Sequence, residues 1–155
     1  MWSNELMFDR PDVQGVALAR TASPESSDDL LGWALIRRSL HGPRIGPLYA
    51  SSAPAAKAVL ARAMTLANGQ YVRDTPMPGD VLSNAAEDKR LNDATFDAEV
   101  WSGNPEAMKA FEDLGWKSIG VEFHRMWVDG KATPEFSEGG AAQKTVFATF
   151  DAGNG

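Results

Sequence analysis

Few side chains in this chain are suited to chemistry. Glu99 and Tyr49 could move a proton, and His124 is a third candidate. A carboxylate such as Glu99 can take a proton from an ammonium group, directly or through one water. A different capacity lies in the main chain at Tyr49-Ala50-Ser51-Ser52-Ala53-Pro54-Ala55-Ala56, which opens an Ala-rich amphipathic segment. Bare amides at a helix N-terminus attract anions. Ser51, Ser52 and Ala53 offer such amides with two hydroxyls beside them, although the stretch has no glycine and Pro54 has no N–H to give. Each candidate also has a structural reading. Glu99 alternates with apolar neighbours, as an ordinary solvent-facing strand residue does. His124 reads more readily as a satisfied structural histidine, and His41, beside Gly42-Pro43, as a turn residue. Nothing has metal-ligand spacing, and Gly-x-Ser-x-Gly and Walker patterns are absent, so serine hydrolase and P-loop chemistry have no support.

The elements that must position these groups are legible from local pattern. Asn104 is an N-cap whose side chain can accept an orphan amide hydrogen. Pro105 suits the first helical position. Ala107, Phe111 and Leu114 share one face, and Gly115 suits the left-handed residue past the end. Loss of the cap in Asn104→Ala is expected to cost about 1 kcal/mol. Ser51 or Ser52 caps a second helix running to about Asn68, with Ala56, Leu60, Ala63 and Ala67 on one stripe.

Gln14 to Arg20 and Leu30 to Arg38 read as strands, joined by a hairpin loop from Thr21 to Asp29. Ile45 to Ala50 is a short strand that must be edged or bulged at Gly46-Pro47, because proline cannot donate to a ladder. Tyr71-Val72-Arg73 reads as a further short strand. Phe96, Ala98 and Val100 mark a half-buried strand. Lys117 to Val128 reads as a long one, with Ile119, Val121, Phe123 and Trp127 on one side. Residues 131–143 form a polar excursion, and Thr145 to Phe150 is the last strand. The order is three strands, helix, strand, helix, two strands: an α/β sheet with packed helices.

At 155 residues the chain is expected to be one domain. Apolar content of 43% and charged content of 23% match a soluble globular protein. Without cysteine, disulfides and thiolate metal sites are excluded; a reducing, cytoplasmic setting is expected. Net charge of −6 argues against a nucleic-acid partner. It favours a cationic small substrate such as an amine, the plainer reading being solubility. No apolar run reaches the roughly 20 residues that span a bilayer, and the acidic N-terminus is not a signal peptide.

Asn104, Ala107, Phe111, Gly115 and Trp116 resemble the N-x-x-A-x-x-x-Y-x-x-x-G-F signature of the GNAT superfamily, the acyl-CoA-dependent N-acetyltransferases. Gly-Trp-Ala-Leu-Ile-Arg-Arg from Gly32, Ile-Gly-Pro-Leu-Tyr-Ala from Ile45, and Arg125-Met126 after Leu-Gly-Trp extend the likeness. It is closest to the C-terminal GNAT-like domain of some two-domain acetyltransferases, and runs from about Gly32 to Phe150. The resemblance implies a mixed, mainly antiparallel sheet with a splayed gap where a thioester enters. It implies acetyl-CoA as cosubstrate and an amine or acyl substrate, with the main chain of Leu48, Tyr49 and Ala50 holding the thioester carbonyl. Ser51 and Ser52 stand where the family has a Gly-rich pyrophosphate loop, Asn104 lies near the pantetheine arm, and Glu99 or Tyr49 serves in proton transfer.

This chain departs from the family at several points. Phe111, which the resemblance counts among the cofactor-binding positions, stands where many members place a tyrosine that protonates the departing thiolate; without a hydroxyl its plainer reading is core packing. Residues 70–95 read as an insertion, and the Gly-rich tail as frayed. Only about a dozen residues precede the hairpin where the family has a strand and two helices. An N-terminally abbreviated member is implied, with a site more open than usual or completed by a homodimer or a partner domain; Trp2 and Trp127 are the candidate contacts. A non-catalytic GNAT-like domain that binds a small ligand or a partner protein is the alternative.

Overall fold

The computed structural model describes residues 13–39, 42–67 and 96–149. Its strands are β1 (Val13–Ala19), β2 (Leu30–Ser39), β3 (Gly42–Ala50), β4 (Glu99–Val100) and β5 (Val146–Thr149). They form one sheet in the order β1-β2-β3-β5-β4. Among the described residues three α-helices accompany them: α1 (Ala53–Ala67), α2 (Pro105–Glu112) and the single turn α3 (Ala142–Thr145). The expected α/β fold with a mainly antiparallel sheet is what the chain adopts. The reading of Tyr71–Arg73, the insertion at 70–95, His41, Trp2, the helix end at Asn68-Gly69 and the C-terminal tail lie outside the described residues.

One apolar cluster joins α1 and α2 to the sheet. Ala34, Ile36, Ile45, Leu48, Ala50 and Ala148 face it from the strands, and the predicted stripe Ala56, Leu60, Ala63 and Ala67 faces it from α1. Trp33, Leu35 and Arg37 alternate to the other face of β2. The bulge demanded by Gly46-Pro47 is present. Ala34 pairs with Leu48 and Ile36 with Ile45, so β3 carries one residue more than β2 there. β3 begins at Gly42 rather than Ile45, because Pro43 still has a carbonyl to give. That carbonyl accepts from the Asp97 amide at 3.1 Å.

Gly46 permits the close approach of β5. A Cβ on Gly46 would stand 2.7 Å from the Thr149 carbonyl oxygen. Main chain cannot yield as a side-chain tip can. Gly46→Ala is expected to cost about 1–3 kcal/mol, the usual range for overpacking, read as a lower midpoint in urea unfolding.

The α2 helix is capped as its sequence requires. The Asn104 side chain accepts from the Glu106 amide at 3.0 Å. At the other end Gly115 adopts φ +88°, and the Trp116 amide donates back to the Phe111 carbonyl at 3.2 Å, a glycine-terminated helix exit. Trp116 then lies edge-on to Phe111, with centroids 5.0 Å apart.

Lys117 to Val128 is not a strand. The backbone from Lys117 to Trp127 pairs with no described strand, and Ile119, Phe123 and Met126 are 85%, 74% and 92% exposed. The alternation read from the sequence is there, but no described strand lies beside it. Trp127 is half-buried rather than part of an open patch; its ring lies 5.5 Å from that of Phe136.

Candidate functional site

The site is organised by how β3 and β4 meet and part. At one end they are parallel neighbours: Arg44 bridges to Asp97, and the Ile45 amide donates to the Asp97 carbonyl at 2.8 Å. The Arg44 guanidinium closes this junction, 2.9 Å from Asp97 and 3.4 Å from Glu99. Beyond it the two strands diverge. Both helices that follow them start at the open end, α1 just past Ala50 and α2 just past Trp101.

The wedge between them is occupied by β5, antiparallel to both. Leu48 pairs with Ala148 and Tyr49 with Val146 on one side. Glu99 pairs with Thr149 and Val100 with Ala148 on the other. Phe147 and Ala148 are buried there, at 1% and 0% exposed. The Phe147 carbonyl accepts from the Trp101 amide at 3.1 Å.

Four of the residues singled out in the sequence border this inserted strand. Leu48 faces the core, and Tyr49 stacks on Trp33 with centroids 5.0 Å apart. Ala50 is buried and pairs with Gly32. Glu99 has one carboxylate oxygen near Arg44, while the other accepts from the Thr149 hydroxyl at 3.4 Å. Asn104 is 1% exposed. Besides capping α2 it donates from Nδ2 to the Val146 carbonyl at 3.0 Å. Leu48, Tyr49, Glu99 and Asn104 therefore share one neighbour, β5.

The others are placed apart from it. Phe111 is buried in the core with Ala107 and Ala110. His124 is exposed on the stretch without strand partners. At the start of α1, Ser52 is the cap: its hydroxyl faces the Ala55 amide at 3.4 Å and its carbonyl accepts from Ala56 at 2.9 Å. The Ser51 amide is not available to an anion, because it donates to the Leu31 carbonyl at 2.8 Å. The Ser52 and Ala53 amides donate no main-chain hydrogen bond among the described residues.

Between the first turn of α1 and α2 lies a shallow groove of about 190 Å³, lined by Pro54, Lys57, Glu106, Lys109 and Asp113 among others. Lys57 is bonded to Asp113 across it at 3.0 Å. Two lysines and two carboxylates leave the groove without a net charge.

Sequence reasoning missed Arg44, Thr149, Val146, Lys57 and Lys109. Only Arg44 left a trace: a base on one strand and acids at alternate positions of another, Asp97 and Glu99, is a pairable pattern. The register that joins strands so distant in sequence is not written locally.

Among the described residues, no group of three or more His, Asp or Glu side chains is placed to hold a metal ion. No helix among them is long and apolar enough to cross a membrane. A family profile described as an acetyltransferase (GNAT) domain matches residues 13–109. No curated protein and no solved structure matches the chain.

Proposed function

The chain belongs to the GNAT acetyltransferase family, and on that premise we propose that it is an acyl-CoA-dependent N-acyltransferase whose described conformation is closed. One observation carries this reading: β3 and β4 lie parallel at Arg44 and Asp97, then diverge toward the two helix N-termini. The resemblance assigns that wedge to the thioester. The family match spans both flanking strands and stops at residue 109, before the strand that fills the wedge.

Acetyl-CoA fits this conformation at one end only. At the outer end the Ser52 and Ala53 amides, with Lys57 and Lys109, are groups a pyrophosphate can use. At the inner end the main chain of Leu48 and Tyr49 is paired with β5, and no thioester reaches it. No catalytic step can therefore be drawn in the closed state. Withdrawal of β5 would change four things together. It would unpair Leu48 and Tyr49, take Thr149 from the Glu99 carboxylate, release the Asn104 amide from Val146, and open the wedge. Glu99 is then the carboxylate nearest the gap, and its role is to take the proton of an acceptor amine. The net charge of −6 supports a cationic acceptor.

A second reading has its own observation. Phe147 and Ala148 are fully buried, as in a permanent core strand, which favours a non-catalytic domain that binds a small ligand or a partner protein. Titration with acetyl-CoA separates the two. Binding with a dissociation constant no weaker than about 1 mM, roughly −4 kcal/mol, is expected, with faster amide exchange at residues 146–149. No heat and no thermal shift at several millimolar would reject the transferase reading.

A further inference from the structure

Arg125 sits among three aromatic rings. Its guanidinium carbon is 4.4 Å from the Phe136 centroid, 5.5 Å from Trp127 and 5.6 Å from Trp101. All three lie within the range over which a ring face attracts a cation. The rings also hold one another. Trp101 meets Phe136 edge to face at 5.3 Å, and Trp127 meets Phe136 at 5.5 Å. Trp101 is anchored to β5 through its amide. Its indole lies so close over Gly103 that a Cβ there would stand 2.6 Å from Cε2. The box is thus braced by contacts that do not involve the arginine.

Arg125 is a poor match for its box. The Trp101 Nε1 is buried and has no hydrogen-bond partner among the described residues. A guanidinium cannot supply one, because it carries only donors. The arginine is itself exposed and belongs to the stretch that lacks strand partners among the described residues. We propose that Trp101, Trp127 and Phe136 form a binding site for a small organic cation that carries an oxygen acceptor, with Arg125 as its internal stand-in. Such a ligand meets both needs of the box: charge against the ring faces and an acceptor for the indole N–H. The site lies one residue beyond β4, at the mouth of the wedge, and its occupation does not depend on acyl transfer.

Choline and tetramethylammonium test this, because both carry a quaternary cation and only choline carries an oxygen. The indole N–H resonances of the five tryptophans report binding in ¹⁵N-labelled protein, with Trp101→Phe identifying the one concerned. In Arg125→Ala, choline is expected to shift the Trp101 resonance. The apparent affinity should be at least about tenfold higher than in the unaltered chain, since the internal competitor is gone. Tetramethylammonium should bind several-fold more weakly than choline, and Trp101→Phe, followed on the Trp127 indole resonance, should erase that preference. If circular dichroism shows Arg125→Ala unfolded, Arg125→Gln takes its place. An unshifted Trp101 resonance, equal affinity in the variant and unaltered chains, or equal binding of the two cations overturns the proposal. No acyl-CoA is needed, so failure here is distinct from failure of the transferase reading.

Discussion

Asn104→Ala is expected to cost about 2–4 kcal/mol rather than the 1 kcal/mol of a lost cap alone. The cap contributes about 1 kcal/mol. The second part comes from the Nδ2 bond to the Val146 carbonyl at 3.0 Å. Asn104 is 1% exposed, so its removal takes a hydrogen-bond partner from a carbonyl held away from water, a loss of about 1–3 kcal/mol. Asn104→Asp separates the parts: the acceptor that caps α2 is kept and the donor that ties β5 is removed. It should recover no more than the cap contribution. Urea unfolding of both variants reads the difference. A cost near 1 kcal/mol for the alanine variant would mean that Asn104 does not hold β5.

Phe147→Ala should act in opposite directions on stability and on binding. Its side chain is fully buried in the core cluster, and removing such a ring costs about 3–5 kcal/mol. That is a large share of the 5–15 kcal/mol typical of a domain, so the variant is best studied cold. The same loss weakens the closed state against any state in which β5 is out. Apparent affinity scales with the population of the competent state. Acetyl-CoA should therefore bind Phe147→Ala at least about tenfold more tightly, which calorimetry on the folded variant measures. A less stable variant that binds no better would identify β5 as a fixed core strand.

These two residues also mark where sequence reading succeeds and stops. The helix from Pro105 was legible because its signals are local: a cap, a first-turn proline and a terminal glycine specify one helix. The stripe on α1 and the bulge at Gly46-Pro47 were legible for the same reason. Position of β5 was not, because it depends on pairing with two strands distant in sequence. Alternation at Val146 to Thr149 says nothing about which neighbours it has. The stretch from Lys117 failed in a related way. A period of two places Ile119, Val121 and Phe123 on one side, but only a neighbouring strand turns that side into a core. The site residues were named without their partners: Glu99 could be read as a carboxylate, but not as one held by Arg44 and Thr149.

The position of β5 also fixes a sequence of events at the ribosome. Everything that borders the wedge on both sides, from β3 to the cap of α2, precedes Val146 in the chain. At about 5–20 residues per second, the 46 residues from Val100 to Val146 occupy roughly 2–9 s of synthesis. For that interval the nascent chain contains both walls of the gap and not yet the strand that fills it. Closure follows the making of both walls, and it comes when the strand least local to its partners is added.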